Sequence, residues 1–244
     1  MSVKNLQHCI RDLEAAGRLI RIEEQLGKKA NVRGVQDRWL LKAIDQHLTK
    51  KQSPPRKGVF FPSSVSNPCD RFVFMAYNGL LESSTIDGTL ARIFDNGGFL
   101  EDRINKYFTN MGILEGREIS LKSTMPPISG RMDFLIRHEK YGQVPVELKS
   151  INARGFESLK EAKPEHVLQL HTYMNLWNDN NKSTPVTHGI VLYENKNDQK
   201  LKAFLEELSP KIWDDILTRL LNIMGMATIP EKCTGNKWCK CKEV

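Results

Sequence analysis

The stretch GRMDFLIRHEKYGQVPVELKSI, residues 130–151, decides the fold. In its first half Met132, Phe134 and Ile136 alternate with Asp133 and Leu135, the two-residue period of an extended strand. HEKYGQ makes a turn, and QVPVELKSI (143–151) alternates again, with Val144, Val146 and Leu148 to one side and Glu147 and Lys149 to the other. If the two strands pair, Asp133 comes alongside Glu147 and Lys149. Two carboxylates and one ammonium then share a patch at the rim of a sheet. Hard oxygen ligands of this kind suit Mg²⁺ or Mn²⁺, and a lysine beside them can orient a water or stabilise charge on phosphorus. The same pattern also fits the solvated face of an amphipathic hairpin.

Outward from this hairpin, PEHVLQLHTYMNLWND (164–179) has helical spacing, with Gln169 and Tyr173 four apart on one face and Val167, Leu170, Met174 and Trp177 as an apolar stripe. HGIVLYEN (188–195) is an apolar run typical of a buried strand. SPKIWDDILTRLLNIMG (209–225) carries helix signals, with Ser209 as N-cap, Pro210 in the first turn and Gly225 at the end. Upstream, residues 87–111 are expected to be helical, and a helix is expected to start near Cys69. Residues 1–50 show two helical patterns, one through Leu6, Ile10, Leu13 and Ala16, the other over about 35–48. The division expected is a helical N-terminal extension and linker over 1–57, an α/β core over 58–232 with a central mixed sheet of four or five strands between helices, and a cysteine tail over 233–244.

The chain has 244 residues and a formal net charge of +7, with 40% hydrophobic and 27% charged residues. These values describe an ordinary globular chain rather than a disordered one. No apolar stretch approaches the ~18 residues of a membrane span, and the start, MSVKNLQHCIRDLEAAG, lacks an apolar signal core. A cytoplasmic setting is the expectation. No GxxxxGK[ST] phosphate loop occurs, which excludes a P-loop nucleotide-driven motor.

Of five cysteines, Cys233, Cys239 and Cys241 crowd into CTGNKWCKCKEV at the end of the sequence, while Cys69 sits far upstream in NPCDRF and Cys9 in the first helical pattern. The odd count argues against a disulfide framework, and thiols packed into a Lys-rich tail point to metal ligation. Cys9 reads as a small buried hydrophobe.

GRMDFL…VPVELKS…QLHTY resembles the PD-(D/E)XK nuclease superfamily, closest to its RecB-like branch and there to the CRISPR-associated and phage exonucleases that carry an iron–sulfur cluster. The resemblance covers about 95–175 and the cysteine positions. It implies metal-binding roles for Asp133, Glu147 and the Leu148 backbone carbonyl, and it makes Lys149, Gln169 and Tyr173 catalytic-site members. It places a further metal ligand on an earlier helix after a glycine, where NGGFLEDRINKYF offers Glu101, with Asp102 in reserve. One cysteine before the core and three after it match the family's cluster set, so Cys69, Cys233, Cys239 and Cys241 are implied ligands of a [4Fe–4S] cluster. The tail spacing, C-x5-C-x-C, departs from the family's C-x2-C-x5-C, and Zn²⁺ is the rival at a Cys₄ site.

The function implied by the resemblance is a Mg²⁺- or Mn²⁺-dependent DNA exonuclease acting at single-stranded ends. An endonuclease, a nuclease subunit of a larger complex and a catalytically idle DNA-binding module are the alternatives. Arg71, Lys237 and Trp238 are candidate DNA contacts, since single-strand grooves combine cations with aromatic platforms. With no motor in the chain, a helicase or recombination partner fits the same picture.

Overall fold

The computed structural model describes residues 38–51, 56–81 and 85–233. The chain divides into two compact units, Met1–His47 and Leu48–Val244. Of the first, the described part belongs to helix α1 (Arg38–Leu48), an amphipathic helix with no buried residue. The remaining elements are β1 (Lys50–Lys51), α2 (Pro62–Val65), α3 (Asp70–Asn78), β2 (Thr85–Ile86), α4 (Gly88–Asn110), β3 (Leu114–Thr124), β4 (Pro127–His138), β5 (Gly142–Ile151), α5 (Ala153–Ser158), α6 (Pro164–Asn180), β6 (His188–Asn195), β7 (Leu201–Glu207) and α7 (Pro210–Gly225).

Five strands form one sheet in the order β3-β4-β5-β6-β7, and β1 pairs separately with β2. β3, β4 and β5 are an antiparallel meander. β5 and β6 run parallel, so the chain between them must cross a face of the sheet, which α5 and α6 do. β7 returns antiparallel to β6. The result is the expected α/β class with a mixed sheet, five strands wide.

Apolar residues cover both faces. On one side Leu170, Met174 and Leu176 of α6 and Ile216, Leu220 and Ile223 of α7 pack with Phe60, Val73, Met132, Leu135 and Tyr193. On the other side Leu100 and Ile104 of α4 pack on Phe134, Ile136, Val144, Val146 and Leu192. Burial on both faces explains the unbroken apolar run of β6. It also corrects the simple alternation read for β4: Met132 packs with Leu135 in the larger cluster rather than with Phe134 and Ile136. β7 alternates exposed and half-buried residues, as an edge strand does. Pro145 is tolerated in β5 because pairing with β6 begins only at Val146, so no β6 partner needs its missing N–H.

Two glycines hold the layers close. A Cβ on Gly189 of β6 would stand 2.9 Å from both Leu170 Cδ1 and Met174 Sδ, so only glycine lets α6 lie this near. A Cβ on Gly130 would stand 2.7 Å from Pro62 Cγ and 2.8 Å from Tyr173 Cε1. The second close approach seats α2 and α6 against the start of β4, next to Asp133.

α7 follows Ser209 as expected, but the serine side chain makes no cap hydrogen bond. At α3 the N-cap is Cys69, whose Sγ accepts the Phe72 amide at 3.4 Å. Cys9 and the helix expected around it lie outside the described residues.

Candidate active site

β4 and β5 stay in register through Phe134 opposite Val146 and pair no further towards Asp133 and Glu147. Where they part, the Asp133 carboxylate bridges the gap: its Oδ2 accepts the Leu148 amide at 2.8 Å. This separation opens a cleft of about 360 Å³, lined by Asp133, Glu147, Leu148, Lys149, Gln169 and Tyr173, together with Glu101, Gly97 and Leu100 of α4, Arg131 of β4 and Phe61 to Ser63. The hairpin, α6 and α4 thus deliver to one place every residue that the sequence nominated for the catalytic set.

Lys149 and Glu147, two apart on β5, point the same way. Lys149 Nζ lies 2.5 Å from Glu147 Oε1 and donates to Gln169 Oε1 at 3.1 Å. Gln169 is 8% exposed and Tyr173 5%, so the α6 face packs down on the site rather than flanking it loosely. Tyr173 is held well above the usual phenol range, first by burial and then by the Glu147 and Asp133 charges, with Gln169 and the Arg131 backbone partly opposing this through hydrogen bonds. Its hydroxyl therefore stays protonated and serves as a neutral hydrogen-bonding group.

The two carboxylates are costly to keep charged. Burial pushes Glu147 up, and the neighbouring Asp133 charge adds to it; Lys149 opposes both. Asp133 is raised by burial as well, against the Leu148 amide and the Lys149 charge. Glu147 is only 2% exposed, and its Oε2 is buried without a hydrogen-bond partner. A lone carboxylate oxygen, out of water and beside a second carboxylate, is a group that a divalent cation would satisfy.

Glu101 and Asp102 separate cleanly. Glu101 lines the cleft, with Arg117 Nε at 3.4 Å from its Oε1. Asp102 is 65% exposed at its side chain and takes Arg117 Nη2 at 2.6 Å. Both carboxylates hold the Arg117 guanidinium above its ordinary range, Asp102 foremost. Among the described residues no three His, Cys, Asp or Glu side chains stand close enough to cage a metal unaided. A cation between Asp133 and Glu147 would therefore complete its shell from Leu148, from a Glu101 turned inward, from water or from substrate.

At the other candidate centre, Cys69 is buried and Cys233 is half-buried against the same apolar cluster. Arg71 Nη1 donates to the Pro230 carbonyl at 2.8 Å, tying α3 to the segment that carries Cys233. Arg71, nominated for DNA, thus has a bond within the fold. Cys239, Cys241, Lys237 and Trp238 lie outside the described residues. Phe60 is 1% exposed and stacks on Tyr77 at 4.3 Å between ring centroids, a core position.

The sequence reading passed over Arg131, which lines the cleft, lowers the Asp133 pKa by its charge and pairs with Glu118 at 3.1 Å. Its place two residues before Asp133 was the available signal. It also passed over His166, three residues before Gln169 on the same helix.

No family model matches the chain, and neither does any curated protein. Among solved structures, the crystal structure of SSO0001 aligns with 87% of this chain and 96% of its own, at a TM-score of 0.49 and 15% identity. The alkaline exonuclease LHK-Exo from Laribacter hongkongensis aligns over 68% of this chain and 86% of its own, at a TM-score of 0.48 and 14% identity. The complex of LHK-Exo with dAMP gives a TM-score of 0.47 and 16% identity over the same shares. Among the described residues no helix is long and apolar enough to cross a membrane.

Proposed function

We propose that the chain is a Mg²⁺- or Mn²⁺-dependent deoxyribonuclease that hydrolyses phosphodiesters in the cleft between β4 and β5, as an exonuclease on single-stranded ends. The observation that carries this reading is the buried, unpartnered Oε2 of Glu147 beside Asp133, with Lys149 alongside, in a cleft open to a ligand. A module that only bound a polyanion gains nothing from two desolvated carboxylates, which repel phosphate. Asp133, Glu147 and the Leu148 carbonyl would hold the ion, with Glu101 completing the set. When bound, such a cation acts as a Lewis acid towards phosphate oxygen and lowers the pKa of water.

The chain's own groups do the rest. Gln169 Oε1 and Glu147 Oε1 fix the Lys149 ammonium on both sides. So held, its charge is aimed where negative charge grows on the phosphorus oxygens, a preorganised form of stabilisation. Asp133 is itself fixed by the Leu148 amide, so the carboxylate does not swing when substrate enters. Tyr173, kept neutral, is a hydrogen-bond donor that brings no charge to oppose phosphate.

For the cysteines we propose a structural [4Fe–4S] cluster on Cys69, Cys233, Cys239 and Cys241, with Zn²⁺ as the alternative ion. Support comes from the packing of Cys69 and Cys233 on one apolar cluster. Metal binding there would add to folding free energy.

Incubation with end-labelled linear and with circular single-stranded DNA, in Mg²⁺, Mn²⁺ or EDTA, tests the function. Metal-dependent loss of linear DNA alone is expected. Cleavage of circles would replace exonuclease by endonuclease, and binding without cleavage under all conditions would overturn the nuclease reading.

A further inference from the structure

Beside the cleft, the parallel register of β5 and β6 sets Tyr193 next to Lys149. Tyr193 is fully buried and its hydroxyl is engaged twice. It accepts the amide of Lys163, the N-cap residue of α6, at 2.9 Å, and it lies 2.7 Å from Nδ1 of His166. A tyrosine hydroxyl has a single proton. The Lys163 N–H can only donate to the oxygen, so of the two groups that contact the hydroxyl only Nδ1 of His166 can accept that proton, and the proton is assigned to it. Nδ1 is then the acceptor, and the proton of the neutral ring resides on Nε2.

The ring is kept neutral. Burial foremost, and then the Lys149 charge, push His166 down to about 4. A charged imidazole here would oppose Lys149; a neutral one adds a hydrogen-bond donor without that cost. His166, Gln169 and Tyr173 stand at i, i+3 and i+7 on α6, which is one helix face, and the last two line the cleft.

We infer that His166 is a substrate-contact residue whose Nε2–H binds an oxygen of the phosphodiester flanking the scissile one, and that Tyr193 is a positioning residue that fixes the tautomer. The inference rests on the nuclease reading above and names a further contact to the same strand. With its Nδ1 lone pair committed to Tyr193, the ring presents a donor only. It selects an acceptor, and along a nucleic-acid strand the acceptor that recurs regardless of sequence is the phosphate oxygen.

Two measurements on the full chain test it. Long-range ¹H–¹⁵N correlation spectra of the wild type should show His166 as the Nε2–H tautomer at neutral pH; an Nδ1–H or imidazolium pattern would overturn the inference without any variant. Anisotropy of a fluorescein-labelled oligothymidylate in EDTA, with steady-state cleavage in Mn²⁺, provides the second arm. His166→Ala should weaken binding about tenfold or more, the loss of one hydrogen bond to a charged group, and the defect should fall on KM more than on kcat. His166→Gln keeps an N–H donor and should recover most of the affinity. Tyr193→Phe should shift the His166 tautomer signals and weaken binding part-way. Wild-type affinity in His166→Ala, with cleavage intact, would sink this inference alone. Absence of any wild-type cleavage would sink the nuclease reading, and this one with it.

Discussion

Replacing Glu147 by Gln should abolish cleavage yet stabilise the metal-free protein at alkaline pH. Folding buries this carboxyl to 2% exposure beside Asp133 and moves its half-titration from an ordinary 4.5 to about 8. For an acid whose pKa is raised by folding, the stability contribution is complete below the unfolded pKa and is lost as pH rises through the folded one. At ~1.4 kcal/mol per pH unit the loss at pH above 8 is on the order of 5 kcal/mol. Asp133 shares the repulsion, so protonating either carboxyl relieves the other, and roughly half of that figure, ~2.5 kcal/mol, is expected for one substitution. Glutamine keeps an acceptor for Lys149 and replaces the oxygen that has no partner. For a domain of this size ~2.5 kcal/mol corresponds to roughly 5–10 °C in Tm. Thermal unfolding in EDTA, followed by circular dichroism from pH 5 to pH 9, reads it. The variant should match the wild type near pH 5 and melt higher above pH 8, and added Mn²⁺ should raise the wild type but not the variant. A variant that melts lower than the wild type at every pH would refute the reasoning, because Glu147 would then be a satisfied structural carboxylate.

Three further outcomes follow from other parts of the site. Lys149→Ala should lower kcat by about a hundred- to a thousand-fold, the usual cost of losing one preorganised charge, with DNA affinity in Ca²⁺ largely kept; equal losses in both would make Lys149 a binding residue only. Gly130→Ala forces a Cβ into Pro62 and Tyr173, so calorimetry should record a loss of about 1–3 kcal/mol, as overpacking costs, and cleavage should fall with it as Tyr173 is displaced. Cys69→Ala, purified anaerobically, should lose the brown iron–sulfur colour and melting temperature together; retained colour would remove Cys69 from the ligand set, and stoichiometric zinc in the wild type would replace the cluster.

Much of this site was legible in the sequence because two-residue and four-residue periods are local. The pair Glu147/Lys149 and the pair Gln169/Tyr173 each follow from chain geometry alone, and the hairpin turn then brings Asp133 to the first pair. The helices over 88–110 and 164–180 and the strand over 188–195 were legible for the same reason. β3 and β7 were not picked out, although Ile119 and Leu121, and Leu201, Ala203 and Leu205, alternate; strands rich in charged and polar residues give a weak apolar signal. The end of β4–β5 pairing at Phe134 and Val146 was invisible, since it depends on a carboxylate taking the place of a ladder partner. The preference for Glu101 over Asp102 came with the family resemblance; what no spacing within α4 reports is how Arg117 of β3 sits against both, with Glu101 lining the cleft and Asp102 exposed. The Lys163–Tyr193–His166 relay joins residues 27 and 30 apart, and such contacts follow from the parallel crossover rather than from any local motif.

The central claim is that Asp133 and Glu147 together hold one divalent cation. Mn²⁺ titration followed by electron paramagnetic resonance measures it directly on the full chain. A bound ion is expected in the wild type and is lost in both Asp133→Asn and Glu147→Gln while folding is retained. Unchanged Mn²⁺ binding in those two variants, or none in the wild type, would contradict it.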